Sequence, residues 1–310
     1  MVTTLATLAA VALVVPAQDR DRERDQGQKD TTVAVQSGAR LDVNNFGGEI
    51  VVRTWNQNNV RVRATHSSRS RVEVSSTASA VLVRTTGRRG PPSIVDLEIT
   101  VPTAMGMSLS GVYTDITVEG AGGAVSAESV QGDIAVTGGN GNITLKSVEG
   151  DVTLTRTRGR IQVTAVEGDV RVDGLVGEVT IETVDGDVTL RGIDAPSVEV
   201  NTVDGDIVYD GTIKDGGSYR LSTHDGDITV VVPPSASVRV SMASFDGEFD
   251  ASFPVDAQRA GKHRFNFTIG TGKARLELET FDGDIRLRRP GEIEVPDRNH
   301  DKNKDHDYDY

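Results

Sequence analysis

Carboxylates beside glycine are the residues in this chain whose type and spacing could do chemistry. Glu149 and Asp151 flank Gly150, and the pair returns as Glu167 and Asp169, Asp185 and Asp187, Asp204 and Asp206, and Asp225 and Asp227. The first three pairs stand eighteen residues apart, and the next two follow at 19 and 21. If each pair sits at the same corner of a stacked coil, the carboxylates form a ladder with rungs about 4.8 Å apart. Like charges at that spacing repel by roughly 1 kcal/mol per neighbouring pair in water, so something must offset them. A row of Ca2+ ions is one offset, because Ca2+ takes roughly six to eight oxygen ligands. The other is local: an Asp beside a turn glycine accepts backbone N–H groups, and water screens the rest. The nine-residue beat invites comparison with calcium β-rolls of pattern G-G-x-G-x-D-x-U-x. Here Asp directly follows Gly and doubled glycines are sporadic, which makes the local offset the stronger of the two.

Other chemistry is thinner. The chain has no cysteine, which excludes a disulfide framework, a thiol nucleophile and a thiolate zinc site. Its histidines, His66, His224, His263, His300 and His306, have no ligand spacing outside the tail. None is paired with Ser and Asp as a nucleophile–base–orienter set, so no catalytic residue is assigned and the chain is not expected to be an enzyme. The tail residues His300, Asp301, Asp305, His306, Asp307 and Asp309 read as a solvated low-complexity segment before a weak metal site. Arg156, Arg158 and Arg160 form a small basic patch that balances the acidic ladder or contacts an anion. With a net charge of −13, a phosphate backbone is repelled, so nucleic acid is excluded as a partner.

The elements that position the carboxylates follow from glycine. Gly123, Gly132, Gly141, Gly150, Gly159, Gly168, Gly177 and Gly186 fall at a spacing of nine. After most of them comes x-[Ile/Val]-x-[Val/Leu/Ile], as in "GDIAV", "GDVTL" and "GEVTI", the alternation of a short strand with one buried face. A meander of hairpins would fit the lengths. The rigid period, with every strand showing the same face at the same offset, instead predicts parallel stacking. Eighteen residues then make one coil of two strands and two turns, so only one edge is acidic; the other carries Asn142, Arg160 and Glu178. The fold expected is all-β, a right-handed parallel β-solenoid with an irregular N-terminal cap. Beyond Gly186 the motif persists at Val203–Asp206, His224–Asp227 and Phe245–Glu248, and "FDGD" at Phe281–Asp284 lies 36 residues further, two coils on.

Five segments are expected. Residues 1–17 resemble an export signal, with an apolar stretch from Leu5 to Val15 and small residues at Val15–Ala17. Residues 18–30 read as a charged linker, 31–110 as an irregular β cap, 111–290 as the repeats, and 291–310 as an acidic disordered tail. The stretch "RRGPPS", Arg88 to Ser93, breaks the cap region. No second hydrophobic span follows the N-terminal one, so no membrane span is expected in the mature protein.

"LDVNNFGGEIVVRTW" (Leu41 to Trp55), the "VDGDV" repeats and "LETFDGDIRL" (Leu278 to Leu287) resemble a bacterial "putative adhesin" family of β-strand-repeat domains of unknown function, similar to head-GIN adhesin-like domains. The resemblance spans about residues 31–290. It implies an exported envelope protein, periplasmic or at the cell surface, with a right-handed β-helix-like fold, and it transfers no catalytic or binding residue. The function expected is therefore non-catalytic: an adhesin-like or scaffold solenoid binding a cell-envelope protein or polysaccharide, with no cofactor. A Ca2+-dependent polysaccharide-binding module using the acidic ladder is the alternative. A carbohydrate-active enzyme comes third, and its site would need a deep polar cleft within residues 60–110 or 248–280, since turns of about four residues are too short to build one.

Overall fold

The computed structural model describes residues 26–90 and 92–293, which hold strands and no helix. The segment read as an export signal, and most of the acidic tail, lie outside those residues.

Through the repeats, strands pair in parallel with a partner eighteen residues on. Ile143 faces Ile161 and Leu145 faces Val163; one coil further, Ile161 faces Val179 and Val163 faces Ile181. On the opposite side Val152, Val170 and Val188 form one column, and Leu154, Val172 and Leu190 another. All of these side chains are buried. The pairing discards the hairpin meander and follows from the pattern: like residue stacks on like, and a slip of one residue would turn every apolar column to solvent. The acidic corners join the same ladder, with Glu149 opposite Glu167, then Glu167, Asp185, Asp204 and Asp225 bridged in succession.

The ends depart from the sequence reading. "FDGD" at Phe281–Asp284 does not stack beyond Phe245–Glu248. Asp282 pairs with Asp225 on one side and Asp246 on the other, so the last coil in sequence inserts between two earlier ones. The strand Ala274–Asp282 lies between Ser218–Ser222 and Val238–Asp246, and Ile285–Arg288 lies between Ile228–Val231 and Phe249–Ala251. Residues 252–273 make this possible. They include Arg264–Ile269, which runs antiparallel to Val238–Asp246 and carries the chain back to the inserted position.

The N-terminal end is built alike. Strand Arg40–Trp55 pairs in parallel with Gly106–Glu119 on one side, and with Ala80–Gly87 and Val95–Pro102 on the other. Outside these lie antiparallel strands: Ser70–Ser76 on Ala80–Gly87, Asn59–Ser67 on Val95–Pro102, and Gln26–Ala34 on Asn59–Ser67. Antiparallel strands at each end occupy edges that a parallel stack would leave open to another chain, Arg264–Ile269 on Val238–Asp246 being the one at the C-terminal end. The strand Gln26–Ala34 also shortens the segment read as a linker over 18–30. Its alternation was hidden by charge, and Asp30 is held by Arg61 at 2.5 Å.

Candidate functional site

On the acidic edge the aspartate after each glycine, and Asp115 after Thr114, accepts a backbone N–H from a neighbouring coil. The Oδ1 of Asp115 accepts the N–H of Asp133 at 2.9 Å, and Asp133 accepts that of Asp151 at 2.9 Å. Asp151, Asp169, Asp187, Asp206 and Asp227 continue the chain, accepting from Asp169, Asp187, Asp206, Asp227 and Asp284 at 2.7–3.0 Å. Asp284 then accepts from Glu248 at 2.9 Å. One oxygen of each carboxylate is thereby committed to the coil above. A hydrogen bond to a charged acceptor is worth about 1.5–3 kcal/mol, which more than offsets the repulsion between rungs. Two arginines add to this: Arg171 bridges Asp151 and Asp169, and Arg286 bridges Asp227 and Asp284.

The carboxylates before each glycine behave differently. Glu149, Glu167, Asp185, Asp204 and Asp225 are exposed, and Glu149 accepts a bond from Gln131 at 2.6 Å. The two rows stand on one edge, as the spacing predicts. Among the described residues no three His, Asp or Glu side chains converge closely enough to hold a metal ion.

Asp206 is the rung where the charges are felt most. Its carboxyl is held above the usual range, chiefly by partial loss of water, then by Asp187 and Asp227, against the Asp227 N–H and Arg286. A raised carboxyl favours the fold most below the ordinary carboxylate range, and that contribution is lost as pH rises through the folded value. Asp206→Asn keeps the Oδ1 acceptor and removes the charge. It is expected to raise stability at pH 7 by a few tenths of a kcal/mol, since Asp206 is exposed and water screens much of the effect. The gain should vanish near pH 3, where the wild-type carboxyl is also neutral. Urea midpoints at the two pH values test this.

Two columns beside the carboxylates carry signals that the glycine spacing obscured. Inward, one residue before the apolar one, stand buried Ser129, Ser147, Thr183, Thr202, Thr223 and Thr280. Most of their hydroxyls donate to carbonyls of the glycine corners, as Thr223 does to Gly205 at 3.1 Å. Outward, directly before Gln131 and then before each acid, runs an apolar row: Val130, Val148, Val166, Val184 and Val203, each 42–49% exposed. His224, Phe281, Phe245 and His263 prolong it as a stack of rings with centroids 4.6–4.9 Å apart. The repeated "V-[E/D]-G" shows this row in the sequence once the corner is known to face outward.

At the other end of the edge, Phe46, Ile94 and Tyr113 meet Glu49, Asp96 and Asp115 around a hollow of about 790 Å³. Phe46 and Tyr113 pack edge to face at 5.6 Å. The lining is mainly apolar, and Asp115 already bonds Asp133. His66 contacts the Ser67 carbonyl at 2.9 Å. His300 and His306 lie outside the described residues. In the basic patch, Arg160 pairs with Glu178 at 2.8 Å across one coil step.

Residues 38–288 match the family model described as Toastrack DUF4097. No curated protein was found to be similar in sequence. A crystal structure from Parabacteroides distasonis, described as a "putative adhesin", is 7% identical with a TM-score of 0.49, covering 84% of this chain and 97% of that one. A "putative adhesin" from Bacteroides fragilis is 12% identical with a TM-score of 0.45, over 84% and 97% of the two chains. A "putative lipid binding protein" from Parabacteroides distasonis is 8% identical with a TM-score of 0.36, over 84% and 96%.

Proposed function

The chain belongs to the Toastrack family, and we propose that it is a non-catalytic, adhesin-like or scaffold protein of the cell envelope. In this reading residues 31–290 form a right-handed parallel β-solenoid, exported by the segment 1–17 and retained at the periplasm or surface by contacts with another envelope component. About nine coils at 4.8 Å make a rod some 45 Å long. The observation that carries the reading is the continuous rung-to-rung ladder from Asp115 to Glu248, which ties each coil to the next at one edge from Gly106–Glu119 onward. A stack so tied, with short turns, presents long regular faces suited to holding a partner and leaves little that can close over a substrate.

Fractionation tests it. The full chain, expressed in a bacterial host, is expected in the periplasmic or surface fraction, and the purified protein should sediment with isolated envelope fragments. Recovery in the cytoplasm, or no retention beyond an inert control, would overturn the proposal. Since one oxygen of each ladder Asp is committed to a backbone N–H, EDTA or about 2 mM calcium should leave the melting midpoint unchanged. A rise of several degrees with calcium would favour the Ca2+-dependent polysaccharide-binding module instead.

A further inference from the structure

The outward apolar row is the feature that turn formation does not require. Any residue that tolerates an extended backbone would serve before the acid, and a polar one would be better solvated. Instead five valines stand in line, each 42–49% exposed, followed by Phe281 at 48% and Phe245 at 57%. Their carbonyls are part of the stack, as Asp185, Asp204 and Asp225 donate to Val166, Val184 and Val203 at 2.8–2.9 Å, so the row is held straight. The exposed apolar surface is on the order of 500 Å², at the upper end of what a monomer leaves uncovered.

What could cover it is limited by its surroundings. Beside every apolar rung after Val130, which precedes Gln131, stands an exposed carboxylate, from Glu149 through Glu167, Asp185, Asp204 and Asp225 to Asp282 and Asp246. A second copy docking by the same edge would bring two carboxylate rows together, and the chain already carries a net charge of −13. A sugar held by stacking needs a free aromatic face, and the valine row offers none. Here Phe281 is stacked between His224 and Phe245, and Phe245 between Phe281 and His263, so both phenyl faces are used. A cationic, amphipathic polypeptide meets both requirements, placing apolar side chains on the row and Lys or Arg against the acids. The hollow bounded by Phe46, Tyr113, Glu49 and Asp96 continues the same mixture of rings and carboxylates at the far end.

We propose that this edge is an interaction surface for a basic amphipathic segment of a partner protein, seated on the Val130–Val203 row and paired with the carboxylates beside it. This rests on the scaffold reading above and gives that scaffold's partner a chemistry.

The test is titration of the full chain with a fluorescent Leu/Lys amphipathic peptide of about 18 residues, with a Leu/Glu peptide as control. Saturable binding is expected for the Leu/Lys peptide only, weakening as salt rises from about 50 to about 500 mM. The triple variant Val148→Ser, Val166→Ser, Val184→Ser should bind at least tenfold more weakly, as should Glu149→Gln, Glu167→Gln, Asp185→Asn. Asp173→Asn with Asp215→Asn, exposed acids towards the opposite corner of the coils, should stay within twofold of wild type. Circular dichroism and melting establish that each variant is folded, and the charge variants keep the test valid should the serine variant fail to fold. Wild-type affinity in the folded serine variant, equal binding of the Leu/Glu peptide, or no saturable binding at all would overturn the proposal. So would self-association in sedimentation velocity that the serine variant abolishes, which assigns the row to a second copy. Envelope retention and peptide binding are separate readouts, so loss of one leaves the other standing.

Discussion

Gly168→Ala is expected to lower stability by about 4 kcal/mol and the melting midpoint by about 8–16 °C, or to prevent accumulation of folded protein. Gly168 has φ +121°, and a Cβ there would lie 2.6 Å from the Gly150 carbonyl oxygen and 2.7 Å from its carbon. The left-handed conformation alone costs a non-glycine residue roughly 1–2 kcal/mol. The larger cost is steric, because the obstructing atoms are backbone of the preceding coil and cannot rotate away. That backbone is fixed in turn, since Gly150 donates to the Glu167 carbonyl at 3.1 Å and Asp169 donates to Asp151 at 3.0 Å. To admit one methyl group the two coils must part, and the adjoining rungs of the carboxylate ladder part with them. Gly261→Ala is the matching control: an added Cβ there meets nothing within 4 Å, and its effect should stay within about 0.5 kcal/mol. Thermal melts of both variants decide the matter; equal midpoints would mean that the coils are not packed as closely as this corner requires.

The same corner explains how much of the fold was legible in the sequence. Gly150, Gly168 and Gly186 recur because the coils approach so closely there, and buried columns such as Ile143, Ile161 and Val179 recur because parallel stacking places like on like. A period is therefore written wherever one coil copies the next. Where the chain leaves the stack and returns, the period says nothing about order in space. Asp282 carries the same corner motif as Asp225 and Asp246, and any of the three would pair with either of the others; only the return strand Arg264–Ile269 makes the inserted order reachable. The acidic edge was legible for a like reason, as its eighteen-residue return is half the frequency of the glycine beat. Its division into two rows was not. Glu167 and Asp169 are two residues apart in sequence and carry the same charge, yet one faces water while the other bonds the next coil. The apolar row was hidden because Val148 and Val152 read alike in an alternating pattern, although one is 42% exposed and the other wholly buried.

The coil from Asp204 to Asp225 is longer by three residues than the regular unit, and its extra length is held by two tyrosines. Tyr209 takes the place of Leu190 and Val230 in one buried column, and Tyr219 that of Val198 and Leu276 in another. Their rings lie 5.8 Å apart and fill the wider section. The hydroxyls hold the extra residues: Tyr209 donates to the Thr212 carbonyl at 2.8 Å, and Tyr219 donates to the Ala195 carbonyl and accepts the Lys214 N–H, each at 2.8 Å. Asp194 fastens the same loop from outside through Thr212 at 3.0 Å and Lys214 at 2.8 Å. Tyr219→Ala should therefore cost about 3–5 kcal/mol, as for other buried aromatic side chains cut to alanine. Tyr219→Phe keeps the ring and should cost about 1–2 kcal/mol, leaving the Ala195 carbonyl and the Lys214 N–H unpaired. Hydrogen exchange separates the two roles. The phenylalanine variant should speed exchange of the Lys214 amide and its neighbours alone, whereas the alanine variant should speed it across the flanking coils as well. Burial also pushes both tyrosine hydroxyls up. An acid whose folded value is raised contributes stability that is complete below its unfolded value, about pH 10, and is lost as pH rises towards the folded one. Melting midpoints should therefore fall steeply above about pH 10, and Tyr209→Phe combined with Tyr219→Phe should flatten that fall. An alkaline limb unchanged in the double variant would mean that these hydroxyls ionise in the folded chain, and that the loop they hold is open to water.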